Sequence, residues 1–223
     1  MTYALVFLSG IMAIVVWWLV RQTINVQPWT EQSAVAAVPG DRGFSLPTRK
    51  VGLGVFLAVV TSLFALFISA YYMRMMGDDW VRLPLPRVLW LNTAVLIVAS
   101  IAMERTRVAA RWGELDRVKL GLLVGGVLSF SFLAGQLWAW RQMDAAGYFL
   151  TANPAYAFFY MLTAVHGLHL LGGLCAWGRT TVRVLRGAEL SQVRLSVDLC
   201  TVYWHYLLLV WLVLFAVLSH THP

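Results

Sequence analysis

The 223-residue chain alternates on a long scale between apolar runs of about twenty residues and shorter polar stretches. A helical run of about this length spans the roughly 30 Å hydrocarbon core of a bilayer. None of the runs shows the alternation of apolar and polar residues that is typical of a membrane β-barrel strand. The pattern predicts six membrane-spanning helices: Thr2–Val20, Val51–Met73, Leu85–Met103, Leu120–Trp140, Tyr156–Trp177 and Leu199–Ser219.

Basic residues are distributed unequally between the two sides of this predicted bundle. The segments 21–50, 104–119 and 178–198 carry four, five and four Lys or Arg residues, whereas 74–87 and 141–155 carry three and one. The positive-inside rule places the richer side in the cytoplasm, so both termini are predicted to be periplasmic. The same asymmetry accounts for the net charge of +7, and we therefore expect no nucleic-acid partner.

The composition supports an all-α integral membrane protein with three parts. Only 12% of the residues are charged, about half of the roughly 25% that is usual for a soluble domain. The first apolar run has no basic residue before it and Arg21 just after it, so we expect a retained helix. The following stretch contains three prolines and is typical of a linker. The expected parts are an N-terminal helix at 1–20, a cytoplasmic linker at 21–50 and a five-helix body at 51–223.

No acidic residue falls within a predicted membrane core, and Glu104 lies at the cytoplasmic rim of its span. Proton-coupled transporters generally need a carboxylate at membrane depth, so the sequence argues against an ion-coupled transporter. The two cysteines, Cys175 and Cys200, match neither a metal-ligand spacing nor a disulfide framework. We therefore predict no catalytic residue and no metal ligand in this chain.

Three histidines, His166, His169 and His205, lie at membrane depth. Histidine is rare within membrane spans and is usually functional there. One hypothesis is a membrane cytochrome b in which His169 and His205 ligate a haem iron from two helices. The alternative is that the imidazoles form hydrogen bonds to lipid headgroups or between helices, where each is worth about 0.6–2 kcal/mol in a membrane. The residues alone leave both interpretations open.

Small residues indicate where helices approach one another closely, either within the chain or against a partner. In lipid, helices associate mainly through the tight packing that small side chains permit. One pair has GxxxG spacing, four residues recur at spacings of four, three and four, and three glycines surround the histidine pair. The predicted packing positions are Ala58, Ser62, Ala65, Ser69, Gly121, Gly125, Gly167, Gly172 and Gly173.

Five motifs follow one another along the predicted body. They are FLAVVTSLFALFISAYYMRM (56–75), LNTAVLIVAS (91–100), LAGQLWAW (133–140), FFYMLTAVHGLHLLGG (158–173) and VYWHYLLLVWLVLF (202–215). Each resembles, on the corresponding helix, a motif of subunit III of the haem–copper respiratory oxidases, the cytochrome c oxidase subunit III family. Each motif alone is modest, but five in the family's order make a specific resemblance.

The resemblance implies a non-catalytic subunit that stabilises the catalytic subunit and holds lipid. It implies no cofactor in this chain, with haem and copper in partner subunits. The expected partners are the haem–copper catalytic subunit I, other oxidase subunits and membrane phospholipid. The complex would reduce oxygen to water with electrons from cytochrome c, or alternatively quinol, and translocate protons across a bacterial inner membrane. The residues implied in lipid or subunit contact are His166, His169, Arg179, Arg183, Trp204 and His205.

The chain departs from the family at three positions that usually carry membrane-embedded acids. Val60 stands where the first body helix usually has glutamate. Ala139 and Leu208 stand where acidic residues usually follow the Gln and Tyr-Trp-His motifs. Functions that depend on those carboxylates therefore lack their usual residues here. The accessory subunit of nitric oxide reductase, which shares this body, remains an alternative.

Overall fold

The computed structural model describes residues 48–81, 84–188 and 190–219, and within these residues the chain is all-α without strands. The expected helix at 1–20 and the linker at 21–50, apart from its last three residues, lie outside the described part. The count of six helices and the periplasmic termini therefore stay predictions. Five helices, each long and apolar enough to cross a membrane, follow in order: α1 Thr48–Met75, α2 Val88–Trp112, α3 Leu115–Ala145, α4 Pro154–Leu185 and α5 Leu190–Ser219.

All five helices extend beyond the predicted spans at one end or at both. α2 begins three residues later than the expected Leu85 and continues nine residues past Met103. α4 has 32 residues, which corresponds to about 48 Å of helix against a hydrocarbon core of roughly 30 Å. Hydropathy marks the apolar part of a helix and not its end, because a helix satisfies its own backbone hydrogen bonds in water as well as in lipid.

Local signals explain where the helices turn. Gly113 follows α2 with φ at 82°, a left-handed conformation that favours glycine and permits the tight connection to α3. Asn153 precedes α4, and its side-chain oxygen accepts a hydrogen bond from the Ala155 N–H at 2.9 Å. In the last turn of α1, the Arg74 guanidinium hydrogen-bonds to Asp79 of the following loop and holds the pKa of that carboxyl below its usual value.

α1 packs against α4 and α5 through one narrow face. Val60, Phe64 and Tyr71 are the buried residues of this face. The stripe of small residues follows the same helical repeat as this buried face. It lies two positions earlier in the sequence, which corresponds to a rotation of about 200° around the helix. Its four residues are therefore exposed on the opposite side of α1, away from the face buried against α4 and α5: Ala58, Ser62, Ala65 and Ser69.

The core lies among α2, α3, α4 and α5, and four tryptophan indoles bridge these helices by hydrogen bonds. Trp140 donates to Thr163 at 3.0 Å, and Trp177 donates to the Leu122 carbonyl at 3.0 Å. Two further indoles, from α5, donate at 2.9 Å each to hydroxyls on α3 and α2. Such bonds satisfy the polar end of a large ring that would otherwise be costly to bury. The α5 pairs are Trp204 with Ser129 and Trp211 with Thr93.

Glycines allow this close approach at some of the predicted packing positions. A methyl group at Gly121 would overlap the Thr106 side chain. A methyl group at Gly125 would lie 2.8 Å from the sulfur of Met103, so these two glycines bring α3 against α2. At Gly173 it would lie 2.6 Å from the Tyr203 ring of α5. The other two glycines are packed less tightly. A methyl group at Gly167 would meet Leu133 at 3.9 Å, and one at Gly172 would meet no described atom within 4 Å.

Candidate functional site

A cleft with a volume of 510 Å³ lies between α1, α4 and α5, near the ends of these helices that are rich in basic residues. Its floor is formed by aromatic and aliphatic side chains from all three helices. Its rim on α4 carries two arginines. The cleft is lined by Leu53, Phe56, Gly172, Gly173, Ala176, Arg179, Thr180, Arg183, Ser196, Leu199, Cys200, Tyr203 and Trp204.

The glycines of α4 shape the cleft. Because Gly172 has no side chain, α4 leaves open space there. Gly173, one position later, instead lets the Tyr203 ring approach the α4 backbone. Tyr203 also donates a hydrogen bond to the His169 carbonyl at 2.9 Å, which fixes the floor of the cleft to α4.

The rim of the cleft is positively charged. Arg179 and Arg183 are four residues apart, so they lie on one face of α4. Both are exposed, and neither forms an ion pair with any residue that the structure describes. The lining contains no carboxylate in this part of the chain. An apolar floor below two free guanidinium groups can accommodate an amphipathic molecule with a negatively charged head.

The two histidines of α4 occupy different environments. His166 is fully buried between the rings of Phe132 and Trp211, at centroid distances of 5.8 and 5.2 Å. Neither of its nitrogens has a hydrogen-bond partner among the described residues. The expected contact of His166 with lipid or another subunit does not fit this position, because the surrounding helices enclose the ring. His169 is half-buried and faces α1, with its ring centroid 5.5 Å from that of Phe64.

Trp204 and His205 point in different directions from α5. Trp204 is fully buried and forms part of the cleft floor, so any contact with a bound molecule is made through the cleft. His205 faces α2: its Nδ1 contacts the Ser100 hydroxyl, and its Nε2 lies 3.1 Å from Glu104 Oε2. The sequence did not predict this set of polar contacts, although Ser100 and Glu104 are four residues apart on one face of α2.

This arrangement does not favour the cytochrome b hypothesis. Both nitrogens of His205 are engaged by α2, whereas the His169 ring packs against α1. The Nδ1 of His169 lies 2.7 Å from the Val165 carbonyl of its own helix, which accepts its hydrogen bond. Over the described ranges, no group of three or more His, Cys, Asp or Glu side chains is placed to hold a metal ion.

At the three positions where the resemblance to subunit III implies acids, this chain has apolar side chains. Val60 is 3% exposed on the inner face of α1, and Ala139 is fully buried in α3. Leu208 is half-buried on α5.

Comparison with known proteins identifies the family. The chain matches the cytochrome c oxidase subunit III family over residues 2–221. It is 28% identical over 198 residues to cytochrome c oxidase subunit 3 of Thermostichus vulcanus, covering 85% of this chain and 96% of the relative.

Two further relatives bear similar names. Cytochrome c oxidase subunit 3 of Synechocystis sp. is 28% identical over 176 residues, with 75% of this chain and 73% of the relative covered. Probable cytochrome c oxidase subunit 3 of Mycobacterium tuberculosis is 28% identical over 171 residues, with 75% and 83% covered. The match over nearly the whole sequence, with five apolar helices in one body, shows that this chain belongs to the cytochrome c oxidase subunit III family.

Proposed function

We propose that this chain is a non-catalytic subunit III that binds one flank of a haem–copper oxidase and holds lipid there. Haem and copper lie in the partner subunits, and cytochrome c donates electrons to the complex. The complex reduces oxygen to water and translocates protons across a bacterial inner membrane. Family membership supports the oxidase role, and the cleft between α1, α4 and α5 is the observation that supports lipid retention.

In the proposed orientation, the cleft opens towards the cytoplasmic leaflet. The N-terminal end of α1, the α2–α3 connection and the α4–α5 connection lie on that side, as the distribution of basic residues indicates. Arg179 and Arg183 then lie at the level of the lipid headgroups, where each cation contributes about 1 kcal/mol of attraction to anionic lipid. The apolar floor below them contacts an acyl chain.

The exposed face of α1 is the proposed contact with the haem–copper subunit. Small residues let two helix backbones approach closely in lipid, and the stripe beginning at Ala58 and ending at Ser69 faces away from the described body. In this proposal the buried His166 and the α2-bound His205 serve packing within the body. No observation favours the accessory subunit of nitric oxide reductase over this assignment.

Purification of the chain from native membranes in mild detergent tests the proposal. We expect a large haem–copper subunit to co-purify in equal amounts, as measured by mass spectrometry and by the haem spectrum. If the chain carries stoichiometric haem by itself, the cytochrome b hypothesis replaces this one. If its partner is the catalytic subunit of nitric oxide reductase, the oxidase assignment is wrong.

Neutralising the cleft rim is expected to weaken lipid binding without unfolding the protein. The variant Arg179→Gln/Arg183→Gln removes two cations from exposed positions, and we expect binding of phosphatidylglycerol at the cleft to weaken about tenfold or more. Native mass spectrometry of the purified chain with added lipid measures this change. A matched control, Arg141→Gln/Arg87→Gln, removes two exposed arginines from the opposite end of the body and is expected to leave binding unchanged. Equal losses in both variants would argue against a cleft site.

A further inference from the structure

Two polar side chains in the core of the body have unused hydrogen-bonding groups. His166 of α4 is 0% exposed and Gln136 of α3 is 3% exposed. Both ring nitrogens of His166 and the amide nitrogen Nε2 of Gln136 lack a hydrogen-bond partner among the described residues. Buried polar groups nearly always have a partner, and a buried donor or acceptor without one is costly. These nitrogens therefore indicate a polar group that comes from outside the described residues.

Two contacts between α3 and α4 place these side chains close together. Trp140 donates to Thr163 at 3.0 Å, and the rings of Phe132 and His166 lie 5.8 Å apart between centroids. Residue numbers rise along α3 while they fall along α4, so the two helices are antiparallel here. Gln136 lies one turn from both Phe132 and Trp140, on the same face of α3. It is therefore within about one helical turn, or 5.4 Å along the axis, of His166.

The hydrogen-bonding groups of the two side chains are complementary to a water molecule. The amide nitrogen of Gln136 is a donor only, and the amide oxygen already faces Asn92 Nδ2 at 3.5 Å. His166 forms no ion pair in the described part of the chain, and a buried imidazole without a counter-charge is neutral. A neutral imidazole has one acceptor nitrogen. A water molecule can accept from Gln136 and donate to that nitrogen.

The second ring nitrogen of His166 carries the N–H group of the neutral imidazole. The rings of His166 and Phe132 are inclined at 78°, so the edge of one ring meets the face of the other. An N–H group directed at an aromatic face forms a weak hydrogen bond. The aromatic neighbour can therefore accommodate the donor nitrogen, and the acceptor nitrogen is the one that needs a polar partner.

The site is closed to large molecules, and the packing next to it is loose. Because His166 has no exposed surface, neither a lipid nor another protein chain reaches its ring. A methyl group added at the next residue, Gly167, would have a single neighbour within 4 Å, Leu133 of α3 at 3.9 Å. A water molecule is about as large as a methyl group. Internal waters of this kind, with two to four polar partners, are a regular part of protein cores.

We infer that the core between α3 and α4 binds one ordered water molecule that bridges Gln136 and His166. The water accepts a hydrogen bond from Gln136 Nε2 and donates one to a ring nitrogen of His166. It thereby joins two membrane-spanning helices through side chains that do not bond to each other directly. A water-mediated bond of this type is nearly as favourable in enthalpy as a direct one. The inference is independent of the oxidase assignment, because it uses only the geometry of this body.

Electron cryo-microscopy of the full-length chain in its native complex, at a resolution that shows ordered waters, tests this inference directly. We expect a density peak within hydrogen-bonding distance, about 2.7–3.2 Å, of both Gln136 Nε2 and a ring nitrogen of His166. A map without such a peak would overturn the inference, as would a direct hydrogen bond between the two side chains. This measurement uses the wild-type chain, so it decides the question even if no variant folds.

A double-mutant cycle measures the same bridge through stability. Gln136→Leu and His166→Phe each remove one partner of the water, and phenylalanine keeps a ring between Phe132 and Trp211. We expect each single variant to raise the unfolding equilibrium constant about tenfold, because the remaining side chain is left unsatisfied. The double variant is expected to stay near about tenfold, whereas independent effects would multiply to about a hundredfold. Denaturing detergent and circular dichroism provide the measurement.

The control cycle pairs His166→Phe with Ser131→Ala on the exposed face of α3. The Ser131 hydroxyl bonds to the Val127 carbonyl of its own helix at 2.9 Å, so we expect its effect to multiply independently with that of His166→Phe. If the Gln136 and His166 variants also multiplied independently, or if each alone left the unfolding constant unchanged or lower, the two side chains would share no water. Coupling of equal size in the control cycle would likewise overturn the inference.

Discussion

Replacing Trp204 with alanine is expected to lower the free energy of unfolding of the body by about 3–5 kcal/mol. The side chain is fully buried, and its indole nitrogen donates a 2.9 Å hydrogen bond to Ser129 of α3. The backbone of Gly173 on α4 approaches the same ring. Truncation therefore removes packing between three helices and leaves a cavity below the cleft. Unfolding of the detergent-solubilised chain by a denaturing detergent, followed by circular dichroism, measures the change.

Two comparisons separate packing from hydrogen bonding. Trp204→Phe keeps most of the ring but loses the indole donor, and we expect a cost of about 1–2 kcal/mol. Trp138→Ala truncates a tryptophan of α3 that is 57% exposed, and we expect a change within about 0.5 kcal/mol. If Trp204→Phe were as damaging as Trp204→Ala, the hydrogen bond to Ser129 and not the packing would dominate. If Trp138→Ala were equally damaging, burial would not explain the effect.

The part of the fold that the sequence predicts best is the set of apolar helices. Hydropathy and helix length suffice for the five described spans, because a membrane restricts the chain to elements that satisfy their own backbone groups. The predicted ends of the helices are less accurate than their number and order. Polar residues such as Glu104 and Arg111 continue α2 beyond its hydrophobic part, and hydropathy carries no information about helix that lies in water.

Which side of a helix faces its neighbours is harder to predict in a membrane protein. The stripe that includes Ala58 and Ser62 and the buried face that includes Val60 and Phe64 have the same spacing on α1. Lipid is as apolar as a protein core, so hydrophobicity does not distinguish the inner face from the outer one. GxxxG spacing is more informative here, since the predicted close approach at Gly121 and Gly125 falls on the contact between α3 and α2.

The candidate site combines residues whose partners lie far away in the sequence. The arginine pair on α4 is visible from its spacing, but the cleft that it borders, with Phe56 and Tyr203 in its lining, requires three helices to be placed side by side. The tryptophans illustrate the same limit. A tryptophan near a span end is typical of a membrane-interface anchor, yet Trp140 and Trp177 donate hydrogen bonds between helices. Only the packing of the helices reveals these pairings.

Oxidase that lacks this chain is expected to keep its initial rate of oxygen reduction within about twofold but to lose activity about tenfold faster during turnover. We propose no catalytic group in this chain, so its removal leaves the reacting centre of the partner subunit intact at first. A bound subunit stabilises the native state of its partner. Losing about 1.4 kcal/mol from the barrier to irreversible inactivation makes that process about tenfold faster.

Continuous recording of oxygen consumption separates the two effects, because the initial slope gives the rate and the later decay gives the lifetime. Adding back the wild-type chain is expected to restore the lifetime, whereas the Arg179→Gln/Arg183→Gln variant is expected to restore it only in part. That difference links protection to the lipid in the cleft, since both arginines are exposed there and outside the packed core. If the variant restored the lifetime of the oxidase as fully as the wild-type chain does, that lifetime would not depend on the lipid in the cleft. A loss of initial rate of more than about tenfold, equivalent to 1.4 kcal/mol in the barrier to chemistry, would instead place this chain in the reaction itself.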